Sequence, residues 1–119
     1  MDKKKDFKTM PHSIEAEQSV LGSMLINNEA PLTILSALCA DDFYSNANKL
    51  IFSKMQELYR ANTPIDFVTL TDILDKCGEL ENVGGIDYIT TLTNILPSAT
   101  NFQYYVDIVK RDSLFRKLI

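Results

Sequence analysis

Apolar residues in this chain return every three or four positions, segment after segment, and residues that start or stop helices bracket each segment. That repeat limits the fold more than any other feature. A sheet would need runs of alternating residues that can pair, and no two segments offer them. Ser13 reads as the N-cap of a first helix, with Glu15 and Glu17 in the first turn, where the helix dipole favours acids. Ala16, Val20, Met24 and Ile14, Leu21, Leu25 fall at helical spacing and define its buried face. Gly22 interrupts that helix at a cost of about 1 kcal/mol relative to Ala, which a close helix crossing would explain. Asn27 and Asn28 end it.

Pro31 suits the first turn of a second helix carrying Ile34, Leu35 and Leu38. Asp41 to Ser45 reads as a turn whose Phe43 and Tyr44 pin it to the core. A third helix runs from Asn46 with Leu50, Ile51, Met55, Leu58 and Tyr59 inside, and stops near Asn62-Thr63-Pro64. Asp66 caps a fourth that buries Leu70, Ile73, Leu74 and Cys77, and Gly78 stops it. Glu79 to Gly85 is a loop. Residues 86–96 mix strand propensity with helical spacing at Ile86, Ile89, Thr93 and Leu96; without a strand partner the helix is preferred. Their core face is Ile86, Ile89 and Leu96, which leaves Tyr88, Leu92 and Ile95 toward the other side. Pro97 ends this helix, and Thr100 with Gln103 has the form of a capping box opening the last one.

The last helix differs from the others. At 100° per residue, Phe102, Tyr105, Val106 and Val109 share one face, whereas Ile108, Phe115, Leu118 and Ile119 gather on another. One stripe docks on the body; the second needs another cover. The helix reaches Ile119 without a stop signal, as expected of the front of a longer protein. The sequence thus predicts an all-α fold: a compact bundle of about six short helices whose last helix extends as the first arm of a helical hairpin. The expected organisation is a flexible segment at 1–12, a globular helical domain at 13–98 and the start of a hairpin at 99–119.

Composition excludes several classes. With 45% hydrophobic and 24% charged residues, the 119-residue chain reads as one soluble, cytoplasmic-type domain. Its longest uncharged stretch, Tyr88 to Val106, carries Pro97 and eight Thr, Asn, Ser or Gln residues, unlike the roughly 20 predominantly apolar residues of a membrane span. No apolar stretch follows the basic start as a secretory signal requires. Cys39 and Cys77 lie far apart, each among apolar neighbours, and are expected as buried thiols. With His12 the lone histidine, the usual zinc ligands cannot be assembled. The net charge of −4 is uneven: +2 over residues 1–10, −9 over the body and +3 over residues 110–119. An acidic body repels phosphate, which counts against a small helix-turn-helix DNA-binding domain, the competing reading.

Catalytic signatures are missing. Gly84-Gly85 is followed by Ile86-Asp87 and cannot form a phosphate loop, and no G-x-S-x-G or H-E-x-x-H occurs. Asp72 and Asp75 share a helical face but read as solvated surface. From the residues alone the chain is an all-α interaction domain.

Five ordered blocks carry the reading further. Pro11-His12-Ser13-Ile14-Glu15-Ala16-Glu17-Gln18-Ser19-Val20-Leu21-Gly22 resembles the opening motif of bacterial replicative DNA helicases of the DnaB family. Asp42-Phe43-Tyr44 with Leu50-Ile51-Phe52 resembles the next block, with Lys49 where His is common. Pro64 to Leu70, Val83 to Ile89, and Ala99-Thr100-Asn101 with Tyr104-Tyr105 and Ile108-Val109 follow in register. The resemblance implies the helical N-terminal domain and first hairpin arm of such a helicase, without the ATPase motor. It implies a non-catalytic scaffold whose intact protein is a hexamer using ATP and Mg. It implies pairing through hairpins into a collar, contact with primase and in some members a helicase loader, and contact with DNA only through the missing motor. No nucleotide or DNA residue carries over, so no cofactor, catalytic or metal site is expected here. The candidate interface residues are Tyr88, Ile108, Phe115, Leu118 and Ile119, with self-association to a dimer expected of this chain.

Overall fold

A computed structural model of the chain describes residues 12–95 and 101–118. Six α-helices occur among them: α1 (Ile14–Ile26), α2 (Ala30–Ala37), α3 (Asn46–Arg60), α4 (Phe67–Lys76), α5 (Gly85–Thr93) and α6 (Phe102–Leu118). Short 3-10 turns at Ala40–Asp42 and Glu81–Val83 join α2 to α3 and α4 to α5. No strand occurs among the described residues. The readings of residues 1–11, Leu96, Pro97, Thr100 and Ile119 lie outside them.

The helix signals act as their chemistry predicts. The Ser13 hydroxyl accepts the Ala16 N–H at 3.1 Å. Asp66 accepts the Thr69 N–H at 2.9 Å while the Thr69 hydroxyl accepts the Asp66 N–H at 3.0 Å, so two otherwise unpaired donors satisfy each other's residues. At the far end of α4, Gly78 takes φ +75° and the Glu79 N–H returns to the Leu74 carbonyl, closing the helix as a left-handed glycine allows.

Helix α1 is the centre of the molecule, packed against α2, α3, α5 and α6. Val20, Leu21 and Met24 meet Ile51, Phe52 and Met55 of α3, Leu70 and Leu74 of α4, and Ile89 and Leu92 of α5 in one buried cluster. Phe43 and Phe52 pack with ring centroids 4.9 Å apart. Gly22 is the close crossing its position suggested: a Cβ there would stand 2.5 Å from the Leu92 carbonyl oxygen.

Several sequence readings are corrected. Cys39 and Cys77 are exposed, not buried thiols, because each sits at the end of its helix, past the last turn that faces the core. Ile14 and Tyr59 are partly exposed for the same reason, one at the first residue of α1 and the other in the last turn of α3. In α5 the buried face runs through Gly85, Ile89 and Leu92, with Tyr88 and Ile95 half-buried beside it, while Ile86 faces solvent. The face is centred on Gly85, Ile89 and Leu92, which leaves Ile86 about 90° away from its middle.

Candidate interaction surface

Two buried carboxylates organise the polar part of the fold. Glu17 of α1, 2% exposed, occupies the stripe position between Ala16 and Val20. Its oxygens accept the Tyr44 N–H at 2.6 Å, the Ser45 N–H at 3.3 Å and the Asn48 amide at 2.9 Å. Asn48 in turn accepts the Tyr88 hydroxyl at 2.6 Å, and Gln18 donates to that hydroxyl at 3.3 Å. Tyr88 is therefore half-buried, its ring on the core and its hydroxyl linking α1, α3 and α5. Burial pushes its phenol pKa above the usual value, hydrogen bonds from Gln18 and to Asn48 pull the other way, and the Glu17 carboxylate adds to the rise.

Asp42, 1% exposed, is the second hub and holds α6. It accepts the Cys39 N–H at 2.9 Å and the Ser113 hydroxyl at 2.7 Å, and Lys110 and Lys117 approach its oxygens at 3.5 and 3.9 Å. Arg116 donates to the Asp42 carbonyl at 2.7 Å. Residues 110, 113, 116 and 117 recur along one side of the helix, so four contacts clasp the same two turns. Burial alone would raise the Asp42 pKa; the Cys39 N–H, the Ser113 hydroxyl and Lys110 outweigh it and hold the carboxyl below its ordinary value. Val106 and Val109 supply the apolar part of the same docking face.

The opposite side of α6 is open. Leu114 is 51% exposed, Phe115 48% and Leu118 82%, and at 100° per residue the three fall within one quadrant or little more. Tyr104, also exposed, continues the strip toward the helix start. Of the candidate interface residues, the structure brings Phe115 and Leu118 together on this outer face. Ile108 is half-buried and packs on the core cluster, unlike the wholly unpartnered side chain its stripe suggested. Tyr88 belongs to the Glu17 network, and Ile119 is outside the described residues.

Sequence reasoning missed Leu114, which the same helical wheel places beside Leu118. It also missed Glu17 as a buried group, although positions 17, 20, 21 and 24 are spaced as a core stripe. Asp42 left no such signal, since its partner Ser113 is 71 residues away. Among the described residues no group of three His, Cys, Asp or Glu is arranged to hold a metal ion, and no helix is long and apolar enough to cross a membrane.

A model of the DnaB-like helicase N terminal domain matches residues 9–111. The chain belongs to that family. It is 42% identical over 109 residues to the replicative DNA helicase DnaB of Haemophilus influenzae, covering 92% of this chain and 23% of the relative. It is 38% identical over 112 residues to the replicative DNA helicase DnaB of Leifsonia xyli, covering 94% of this chain and 24% of the relative. The chain thus spans about a quarter of the length of these helicases. The crystal structure of the N-terminal domain of DnaB helicase from Mycobacterium tuberculosis superposes with a TM-score of 0.88 at 38% identity, over 92% of this chain and 80% of that one. The DnaB family match takes in Tyr88 and Ile108, and ends before Leu114, Phe115 and Leu118.

Proposed function

We propose that this DnaB N-terminal domain is a non-catalytic scaffold that self-associates through the outer face of α6 and helps to build the collar of a hexameric replicative helicase. The single observation that carries this reading is the exposed Leu114, Phe115 and Leu118 strip on a helix whose other side is already clasped to the body. Each such side chain gains about 1.5–3 kcal/mol on burial, so a second copy of the helix is a favourable cover. Association costs rotational and translational freedom, and a single helix per chain offers a small surface, so a monomer–dimer equilibrium at micromolar or weaker affinity is expected.

Primase is the expected protein partner, a helicase loader a further one, and Tyr88 the expected contributor to the primase surface, half-buried with its hydroxyl at the junction of three helices. ATP with Mg, DNA translocation and unwinding are assigned to the rest of such a helicase, acting in the cytoplasm. Titration of the chain with the replicative primase of the same cell tests this. Binding should be measurable, and Tyr88→Ala should weaken it, at a cost in stability from the lost ring packing and from the Asn48 oxygen left without its donor. Unchanged primase affinity in a Tyr88→Ala protein that is still folded would confine Tyr88 to the Glu17 network and remove it from the surface. DNA-stimulated ATP turnover by the purified chain would overturn the non-catalytic reading.

A further inference from the structure

Beside the Asp42 clasp lies a concavity of about 350 Å3, distinct from the outer apolar strip and lined by Asp41, Tyr44, Lys49, Ser113, Arg116 and Lys117. We propose that it is a binding site for a carboxylate side chain of an acidic protein segment. Its cations come from two elements, Lys49 from α3 and Arg116 with Lys117 from α6, so the site exists only when α6 is docked. Against these three stands one lining carboxylate, Asp41, whose side chain is mostly exposed. Asp42 lies underneath, buried, with its oxygens already taking the Cys39 N–H and the Ser113 hydroxyl.

Both lysines are loosely engaged. Lys49 stands 3.9 Å from Asp41 and Lys117 3.9 Å from Asp42. A charge-assisted N–H···O bond settles at about 2.7–2.9 Å, so each ammonium retains capacity for a closer oxygen. Tyr44 gives the site a fixed wall, with the His12 ring stacked on it at 4.0 Å and the Arg116 guanidinium 5.6 Å from its centroid.

The charge of the molecule selects the ligand. A body of −9 repels an extended polyphosphate chain at long range, while a concavity of this size takes a single carboxylate whose neighbours need not be charged. A protein segment that presents one carboxylate among uncharged residues fits the three cations and the acidic body alike; a nucleic-acid strand, charged at every nucleotide, does not fit the acidic body.

Backbone amide NMR of the whole chain at low salt, titrated with a blocked peptide carrying one glutamate among uncharged residues and separately with a six-nucleotide oligothymidylate, tests the site. The peptide should give saturable shifts at Lys49, Ser113 and Lys117, weakening as salt rises. Lys49→Gln with Lys117→Gln should lower its affinity about tenfold, both side chains being partly exposed and separable from the core. Should the double variant melt early, Lys49→Gln alone, away from the Asp42 clasp, carries the test with about a threefold loss. Absence of saturable peptide shifts, or shifts unchanged in the variants, would overturn the proposal. Equal or tighter oligothymidylate binding at the same amides would replace it with a nucleic-acid site.

Discussion

Helices α1 and α6 solve the same problem in opposite ways. In α1 nine of thirteen residues are buried, Glu17 among them, and four other helices enclose it. In α6 four of seventeen are buried, and two of those, Asp112 and Ser113, are polar. The central helix is held by apolar packing so close that one position must be glycine. The peripheral helix is held by Val106 and Val109, with Phe102, Tyr105 and Ile108 beside them, and by a polar clasp, and it keeps a second apolar face open. A helix with that division is stable on the body and still has something to offer another molecule.

The largest expected effect falls on α1. Glu17→Ala would leave the Tyr44 and Ser45 N–H groups and the Asn48 amide without their acceptor in a buried setting, a loss of about 3 kcal/mol or more. Chemical denaturation reads it directly. A loss below about 1 kcal/mol would show that the two helices are not held so differently.

Next comes Gly22→Ala. The added methyl gains helix propensity of about 1 kcal/mol but meets the Leu92 carbonyl, where overpacking costs about 1–3 kcal/mol. A net loss of about 1 kcal/mol is expected from the melting temperature. Net stabilisation would mean that α1 and α5 separate easily, and would break the contrast with α6.

Acid should act on α6 first. Asp42 has its carboxyl held below the ordinary value in the folded state, so it contributes stability above the unfolded-state pKa of about 4, lost as pH falls through the folded-state value. The charged groups that face it are Lys110, Arg116 and Lys117. Between about pH 5 and pH 2 the parent should therefore lose more stability than Asp42→Asn, with hydrogen exchange rising in α6 before α1. Equal acid slopes in the two proteins would sever the clasp from this pH dependence.

How far the sequence revealed this arrangement follows from the range of the forces involved. Caps, stops and the all-α architecture were legible because Ser13, Asp66 and Gly78 act within four residues of themselves. The core stripes of α1, α3 and α4 were legible through spacing, apart from helix ends such as Cys39, Tyr59 and Cys77, where a wheel assigns burial that no neighbour supplies. The α5 face was misjudged because it is centred on Gly85, Ile89 and Leu92, and a glycine has no apolar side chain to mark it. For the candidate surface, Phe115 and Leu118 were visible as a second stripe. The Asp42–Ser113 clasp was not, since nothing local marks a hydroxyl that meets a carboxylate 71 residues away. Glu17 carried a readable signal, its stripe position, that the usual preference for acids in a first turn concealed.

The outer face of α6 as an interface is the central claim, and sedimentation across concentration tests it most directly. Phe115→Asp with Leu118→Asp alters two exposed side chains opposite the clasp, so folding stability should change by no more than about 0.5 kcal/mol per site. The parent should show a concentration-dependent rise from monomer toward dimer, and the double variant should remain monomer throughout. A double variant that sediments like the parent at every concentration would contradict the account.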